Sequence, residues 1–316
     1  MLSAPRIAAI LLLFVCCADR LAEIDRTEFG FGSYVRIQAL AFNSAALDSA
    51  VESAFSEMFR LDTLWSSFLD VGDVYRLNRT GGASVQPETQ ELVREALVVC
   101  RNTGGALDIT VKPLLDVWGV TKGNRRIPDS AELAEAKELV DFRQVDLRGD
   151  SVVLSGGARI DLGAIAVGFA VDRAVEELKA HGVKQGLVDA GGDIRVFGDR
   201  VWRIGLRNPR GEDVIRVFSV QNRAVSTSGD YQKYFEVEGR RYHHIIDPAT
   251  GFPADKCASV TMLAPTALEA DAYATAIFVL GPDAGLKVVR ERKETGAVVL
   301  VESGDSLVTC EAGRLE

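Results

Sequence analysis

The chain has 316 residues, of which 47% are hydrophobic and 26% are charged, and its formal net charge is −9. These values are typical of a globular protein with a substantial core, and the length alone would allow about two domains. Nucleic acid is excluded as the main partner, because phosphate binding needs concentrated Lys and Arg, and the sequence has no basic block.

The N-terminal segment 1–18 is typical of a secretory signal. An apolar run, IAAILLLFVCCA, follows Arg6 and ends in small residues, and it is too short to span a bilayer by itself. We therefore expect cleavage after Ala18 and a periplasmic or exported protein. An uncleaved anchor is the alternative, and lipidation of Cys16 or Cys17 would associate the protein with the inner membrane.

Residues 20–316 contain no repeat and no low-complexity linker, so we predict a single domain. Hydrophobic periodicity and turn residues predict its elements. In chain order these are a strand at 33–42, helices at 45–64, 87–101 and 129–140 (the last capped by Asp129 or Ser130), strands at 143–147, 151–155 and 158–161, a helix ending at Gly182, strands within 186–198 and 202–209, strands on either side of Glu238-Gly239, a strand at 258–264, a helix opened by Thr266, and a hairpin within 297–311. The mixture lacks regular β-α-β alternation, which favours an α+β fold with a mainly antiparallel sheet packed with helices.

Asp271 and Thr275 lie four residues apart in an otherwise apolar predicted helix, EADAYATAIFVLG. Positions i and i+4 share one face of a helix, so the two side chains would aim their oxygens at one point from a buried face. A buried carboxylate needs a partner, and a hard cation such as Mg²⁺ would serve. The alternative is that Asp271 accepts a hydrogen bond from nearby backbone while Thr275 bonds to its own helix.

Further candidates lie in segments rich in Gly, Asp, Ser and Thr where predicted strands end. Such residues suit turns, so turn chemistry alone accounts for each segment taken singly. The segment 161–164 opens a helix, whose free N–H groups favour a phosphate. His244 precedes Asp247 by three residues, and this pair suits either acid–base chemistry or a strand end bonded to a turn. The segments are 106–110, 161–164, 189–193, 226–230 and 243–248.

In this order, the segments resemble the ApbE family, the FAD:protein FMN transferases. The resemblance runs from about residue 29 to 281 and rests on GALDITVKPLLDVWG, DLGAIAVGFAVDRAVEEL, VDAGGDIRVFG, VSTSGDY, HHIIDPATG and ADAYATAIFVLG. It implies an ApbE-like, T-fold-related domain that binds FAD and Mg²⁺, transfers FMN to a Ser or Thr hydroxyl of a target protein, and releases AMP. The implied acceptor is a subunit of a membrane redox complex.

The resemblance also implies which residues form the site. The metal ligands would be the side chains of Asp271 and Thr275 and the backbone carbonyl of Ala164. His244 or Asp247 would orient or deprotonate the acceptor hydroxyl, and the sequence does not choose between them. Contacts with the flavin and the adenine would come from Phe31, Phe68, Ala106, Leu107, Asp108, Asp161, Val167 and Ile245.

Several positions depart from the family pattern, and the most serious is Val167, where a Lys is expected. That Lys would bring a positive charge to the pyrophosphate, and its loss would remove a charge-assisted hydrogen bond of roughly 1.5–3 kcal/mol. His243, where the family has Ser, is either neutral or replaces part of this charge. The other departures are Phe31-Gly32-Ser33, Phe68 and Gly72-Asp73. Val167, Phe68 and Gly72 keep open a non-catalytic periplasmic flavin-binding protein. A FAD pyrophosphatase that uses water as the acceptor is the other alternative.

Overall fold

A computed structural model describes residues 21–41, 44–120, 124–304 and 306–316. The predicted signal segment, with Cys16 and Cys17, lies outside these ranges. The strands are β1 Ala22–Gly30, β2 Ser33–Ala41, β3 Gly82–Ser84, β4 Val145–Arg148, β5 Ser151–Leu154, β6 Gln185–Ala190, β7 Asp193–Phe197, β8 Trp202–Arg207, β9 Val214–Val220, β10 Ala224–Gly229, β11 Tyr234–Val237, β12 Arg240–His243, β13 Ser259–Ala264, β14 Gly296–Ser303 and β15 Ser306–Gly313. The helices are α1 Ser44–Trp65, α2 Asp73–Thr80, α3 Pro87–Asn102, α4 Lys112–Trp118, α5 Ser130–Glu138, α6 Ala166–Ala180, α7 Ala267–Leu280 and α8 Pro282–Arg290. None of the helices in the described ranges is long and apolar enough to span a membrane.

The main sheet runs in the order β1-β2-β6-β7-β10-β13-β14-β15, and every neighbouring pair is antiparallel. The smaller sheets β3-β5-β4, β8-β9 and β11-β12 are antiparallel as well. The predicted α+β fold with a mainly antiparallel sheet is therefore confirmed. Because the main sheet joins β1 at the start of the described residues to β15 at their end, these residues form one body.

The centre of the main sheet is covered on both faces, which explains why β13 is buried at every position. Val260 and Met262 belong to a core formed with α1, α6 and α7, whereas Leu263 belongs to a second core. The second core lies under the β8–β9 hairpin, which contributes Trp202 and Phe218. The first core holds α7 against β10 and β13, and this contact positions the candidate site.

A smaller cluster joins α4 and α5 to the β11–β12 hairpin. Trp118 stacks on Tyr242 with ring centroids 5.5 Å apart, and its Nε1 donates a hydrogen bond to the carbonyl of Gly251 at 2.8 Å. These contacts attach the segment that follows β12 to α4. The segment carries His244 and Asp247, so the cluster decides where these two residues lie.

Two predicted helix starts are confirmed by their capping. The Asp129 carboxylate accepts a hydrogen bond from the backbone N–H of Glu132 at 2.9 Å, at the start of α5. The Thr266 hydroxyl accepts from the backbone N–H of Glu269 at 3.2 Å, at the start of α7. The Glu269 carboxylate pairs with Arg292 instead of returning to the backbone of Thr266.

Two predicted strand positions are wrong. Residues 158–161 form no extended strand: Arg159 makes one isolated parallel bridge with Val111, and Asn78 takes both backbone groups of Ile160. The Ile160 N–H donates to Asn78 Oδ1 at 2.6 Å, and Asn78 Nδ2 donates to the Ile160 carbonyl at 2.8 Å. Residues 142–144 form a turn of 3₁₀ helix capped by Asp141, so β4 begins only at Val145. Short elements such as α2 and α4 have no counterpart among the predicted ones.

Candidate active site

The residues predicted for the site surround one cavity of about 740 Å³, which we call the central cavity. It lies where α7 and the first turn of α6 meet the ends of β7 and β10. All of the predicted site residues except Asp247 lie on its wall. The wall is formed by the β1–β2 turn, Phe68, Leu115, Val120, Arg125, α7, and parts of the segments 106–111, 161–167, 190–193, 226–233 and 244–248.

Glycine at position 168 lets α6 approach α7 closely. A Cβ built on Gly168 would lie 2.4 Å from the carbonyl oxygen of Ala267 and 2.9 Å from the Cβ of Asp271, which is closer than real Cβ atoms come. The Gly168 N–H instead donates a hydrogen bond to Asp271 Oδ2 at 3.1 Å. This contact fixes the Asp271 carboxylate relative to the first turn of α6.

Asp172, one turn further along α6, caps the N-terminus of α7. Its carboxylate accepts hydrogen bonds from the backbone N–H groups of Ala267 at 2.8 Å and Leu268 at 3.0 Å, and from the Arg195 guanidinium at 2.6 Å. The free N–H groups and the positive end of the helix dipole favour a carboxylate there. Burial raises the pKa of Asp172, and Arg195 opposes that rise. The carboxylate thus ties α6, α7 and β7 together around the helix that carries Asp271.

Asp271 and Thr275 both line the central cavity from α7, as their spacing predicts. Asp271 is 7% exposed, and among the described residues only Gly168 donates a hydrogen bond to its carboxylate. The Thr275 hydroxyl lies 3.1 Å from the Ser228 hydroxyl on β10 and is not bonded to its own helix. The pair therefore offers a carboxylate and a hydroxyl to one corner of the cavity.

A second carboxylate, Asp193 at the start of β7, lies on the same wall and was not predicted. It accepts a hydrogen bond from the Ser226 hydroxyl on β10. Burial raises the pKa of Asp193. Burial also raises the pKa of Asp271 well above its ordinary value, and the charge of Asp193 adds to this effect. Two carboxylates in one poorly solvated corner repel each other, so a bound cation would stabilise this arrangement.

The oxygen atoms of this corner fit a hard divalent cation. The described residues contain no group of three or more His, Cys, Asp or Glu side chains that would hold a metal by themselves. The available donors are the Asp271 carboxylate, the Thr275 hydroxyl and the backbone of Ala164, which lines the same cavity. Mg²⁺ commonly binds proteins through one or two carboxylates and takes its other ligands from water and substrate phosphates. The residues present therefore fit Mg²⁺.

A less polar part of the wall contains most of the residues predicted to contact the flavin and the adenine. Phe31 has a left-handed backbone with φ of 54°, and its N–H donates to Asp62 Oδ2 at 2.9 Å. Phe68 is 54% exposed, and the Lys112 ammonium lies 6.0 Å from the centre of its ring. An exposed aromatic ring at a cavity is suited to stacking on a planar ligand. The others here are Ala106, Leu107, Val167 and Ile245.

The two carboxylates predicted to contact the flavin or adenine are bonded to nearby backbone. Asp108 accepts hydrogen bonds from the N–H groups of Thr110 at 2.8 Å and Phe142 at 3.0 Å. Asp161 accepts from the N–H of Gly163 at 2.9 Å. Burial raises the pKa of both carboxyls. Each therefore holds a turn of the cavity wall in place.

Of the two catalytic candidates, His244 lies on the wall of the central cavity. Its Nδ1 lies 3.1 Å from the carbonyl oxygen of Gln232, so in the neutral ring Nδ1 carries the proton and Nε2 is an acceptor. Burial lowers the pKa of His244 to about 4, and the nearby charge of Lys233 contributes. The ring is therefore neutral near pH 7.

Asp247 does not lie on the wall of the central cavity. Its carboxylate accepts a hydrogen bond from the N–H of Ala249 at 2.8 Å, and its backbone carbonyl accepts from the N–H of Gly251 at 2.8 Å. These bonds close the turn that follows His244. The structure thus separates the two residues that the sequence treated as alternatives.

His243 does not supply the positive charge that position 167 lacks. Its ring is buried beside Phe278, and its Nε2 lies 2.7 Å from the carbonyl oxygen of Ala254. Burial lowers its pKa, so the ring is neutral near pH 7. Among the described residues, the cationic side chains that line the central cavity are instead Arg125 and Lys233, and neither was predicted from the sequence.

The fold and the cavity define a flavin transferase, because solved structures of that class share this architecture. The chain superimposes on the flavinyl transferase ApbE of Pseudomonas stutzeri, apo form, with a TM-score of 0.82 and 30% identity, over 93% of this chain and 95% of that one. It superimposes on the ApbE protein of Thermotoga maritima with a TM-score of 0.85 and 34% identity, over 92% of this chain and 97% of that one.

The ApbE family model matches residues 31–300, and this chain belongs to the ApbE family. It is 34% identical over 324 residues to the FAD:protein FMN transferase of Treponema pallidum (strain Nichols), covering 94% of this chain and 89% of the relative. It is 34% identical over 311 residues to the FAD:protein FMN transferase of Vibrio cholerae serotype O1, covering 94% of this chain and 93% of the relative. The family predicted from the sequence motifs is confirmed, and with it the prediction of an enzyme.

Proposed function

We propose that this protein transfers the FMN part of FAD to a Ser or Thr hydroxyl of another protein, releases AMP, and depends on Mg²⁺. Membership of the ApbE family and the relatives named FAD:protein FMN transferase support the overall activity. The proposal of Mg²⁺-dependent transfer to a hydroxyl rests on one observation. Asp271, Thr275 and Ala164 line the central cavity together with the partly buried carboxylate Asp193.

The central cavity suits FAD in its size and in having one polar and one less polar part of its wall. Its volume of about 740 Å³ lies in the range of pockets that bury most of a small ligand. We place the flavin ring against the less polar wall that includes Phe31, Val167 and Ile245. The diphosphate then lies near α7 and the first turn of α6, where a helix N-terminus favours phosphate.

Asp271, Thr275 and the Ala164 carbonyl are the residues that would hold Mg²⁺. When bound, the ion supplies positive charge to the diphosphate and to the departing phosphate of AMP. Gly168 and Asp172 hold the ligand-bearing face of α7 in place before the substrate arrives. Such prior positioning is what allows a site to stabilise developing charge without reorganising.

His244 is the residue we propose as the proton acceptor. The carbonyl of Gln232 holds the proton on Nδ1, so Nε2 is left to accept the proton of the acceptor hydroxyl. The hydroxyl oxygen forms a bond to the FMN phosphorus, the bond from that phosphorus to the bridging oxygen breaks, and AMP leaves with that oxygen. We assign Asp247 no role in this step, because it does not line the central cavity and its Oδ1 accepts a hydrogen bond from its own turn.

We also propose that the protein acts after export and that its acceptor is a subunit of a membrane redox complex. The apolar N-terminal run, which lies outside the described residues, supports export. A tagged chain should be found outside the cytoplasm with its N-terminus at Asp19. Recovery of the uncleaved chain from the cytoplasm alone would contradict the export proposal.

Incubation of the purified protein with FAD, Mg²⁺ and a candidate acceptor domain tests the activity. The expected result is flavin fluorescence that stays on the acceptor after denaturation, with AMP released in equal amount. AMP and free FMN without a labelled acceptor would instead identify a pyrophosphatase. The absence of both products would identify a flavin-binding protein without catalysis.

Two controls decide whether the metal proposal holds. EDTA should stop the reaction and excess Mg²⁺ should restore it, whereas activity that resists EDTA would contradict a requirement for Mg²⁺. Asp271→Asn should remove the metal-dependent product. Asp283→Asn, which changes an exposed aspartate on α8, is the matched variant and should keep full activity.

A further inference from the structure

The rim of the central cavity carries a lysine with an unfavourable backbone. Lys233 follows β10 with φ of 46°, in the left-handed region that non-glycine residues seldom adopt. Among the described non-glycine residues with such a backbone, only Lys233 and Phe31 line the cavity. Glycine or asparagine would adopt this conformation at lower cost. Lysine at this position therefore indicates that its side chain has a use beyond forming the turn.

The ammonium group of Lys233 has no fixed partner in the part of the chain that the structure describes. No ion pair or hydrogen bond with another described residue holds it. Arg125, the other cation on the cavity wall, instead donates a hydrogen bond to the carbonyl of Tyr234 at 2.7 Å. The charge of Lys233 is thus available to a ligand.

The charge of Lys233 acts across the central cavity. It lowers the pKa of His244, and it opposes the rise in pKa that burial causes for Asp161 and Asp193. These three residues lie on three different segments of the wall. Lys233 lines the same cavity as all three residues, so its charge lies near each of them.

The cavity wall that includes Lys233 is acidic. Among the described residues, four carboxyl groups line the cavity, those of Asp108, Asp161, Asp193 and Asp271, and the negative charge that they carry when ionised repels a diphosphate. We propose that Lys233 binds the diphosphate of FAD and so supplies positive charge from the chain itself. This inference rests on the proposed function and adds a binding residue for its substrate.

Lys233→Asn tests the inference, because asparagine tolerates the left-handed backbone and removes the charge. FAD and riboflavin, which has no phosphate, are titrated separately into the purified full chain with Mg²⁺, and binding is followed by flavin fluorescence. The loss of one charge-assisted hydrogen bond should raise the Kd of FAD about tenfold or more. The Kd of riboflavin should not change, and Lys233→Arg should restore most of the FAD affinity.

Glu238→Asn is the matched control, because Glu238 has the same kind of backbone, with φ of 50°, and does not line the cavity. It should leave the Kd of FAD unchanged. An unchanged Kd of FAD in Lys233→Asn, or an equal loss for FAD and riboflavin, would overturn the inference and leave the proposed function standing. Failure of the unmodified protein to bind FAD would overturn both.

Discussion

The two sides of the central cavity are built in different ways. On the α6–α7 side, Gly168 leaves no room for a Cβ and Asp172 caps the neighbouring helix, so packing fixes the wall. On the side formed by 230–248, the wall consists of turns and the largely exposed β11–β12 hairpin, and Lys233 has a left-handed backbone.

This difference separates two tasks that the proposed reaction requires. Metal ligands must be held within a fraction of an ångström, which rigid elements do better than loops. Groups that meet a substrate or a partner protein are commonly carried by loops on a rigid scaffold. We therefore expect substitutions on the α6–α7 side to affect turnover or global stability strongly. Substitutions on the side formed by 230–248 should affect substrate affinity or the response to pH.

The largest effect is expected for Asp271→Asn, which keeps an acceptor for the N–H of Gly168 and removes the charge. We expect kcat/KM to fall on the order of 10²- to 10³-fold, as for the loss of one group that stabilises developing charge. In the absence of metal, the free energy of unfolding should stay equal or rise, because Asp193 no longer repels a buried charge. FAD turnover and urea unfolding measure the two quantities. Full activity in this variant would show that Asp271 is not a metal ligand.

Gly168→Ala tests whether packing fixes the α6–α7 side. The added Cβ meets the backbone of Ala267, so the free energy of unfolding should fall by about 2–3 kcal/mol. Turnover should fall about tenfold or more, because small displacements of positioned groups are costly. Gly211→Ala is the control, since its added Cβ meets only side-chain atoms of Asp213 and Asn208. Equal effects of the two substitutions in urea unfolding would contradict a rigid α6–α7 wall.

His244 gives the side formed by 230–248 a dependence on pH. Burial lowers its pKa to about 4, and the charges of Lys233, His243 and Arg125 act in the same direction. In the unfolded chain the pKa of His244 is about 6.5. Between about pH 4 and pH 6.5 the unfolded state therefore binds the proton more readily than the folded state does. The stability that His244 contributes is therefore complete above about pH 6.5 and is lost as the pH falls towards 4.

Between about pH 7 and about pH 4.5, the free energy of unfolding of His244→Gln should fall by about 2–3 kcal/mol less than that of the unmodified protein. Urea unfolding at the two pH values measures this difference. His181→Gln, which changes an exposed histidine at the end of α6, should behave like the unmodified protein. If His244→Gln loses as much stability on acidification as the unmodified protein, His244 is not held in its neutral form.

The smallest effect is expected for Asp247→Asn. The asparagine side chain keeps an oxygen that accepts from the N–H of Ala249, so the turn after His244 should survive. We expect kcat within about twofold and a free energy of unfolding within about 0.5 kcal/mol of the unmodified protein. A tenfold loss of kcat at unchanged KM would show that the Asp247 carboxylate reaches the substrate, and the two sides of the cavity would then need a new division of roles.

Features that depend on neighbours in the chain were predictable from the sequence. The position of Asp271 and Thr275 on one face of α7 follows from helix geometry alone, and the cap at Thr266 follows from its spacing to Glu269. The antiparallel sheet was predictable because the elements lack a regular alternation. The order of the motifs then allowed most of the cavity wall to be assigned by resemblance.

Features that depend on long-range contacts were not predictable. Asp193 meets Ser226 because β7 pairs with β10, and the spacing of the two residues in the chain does not contain this information. Ile160 leaves its predicted strand because the distant Asn78 takes its backbone groups. Asp247 has the right spacing from His244 for acid–base chemistry, but its carboxylate turns back to its own loop.

The binding of Mn²⁺ in place of Mg²⁺, followed by electron paramagnetic resonance in the presence of FAD, tests the central claim most directly. We expect about one tightly bound ion per chain in the unmodified protein and in Asp247→Asn, and loss of that ion in Asp271→Asn. A Mn²⁺ ion that remains equally tight in Asp271→Asn would contradict the claim that α7 carries the metal ligands.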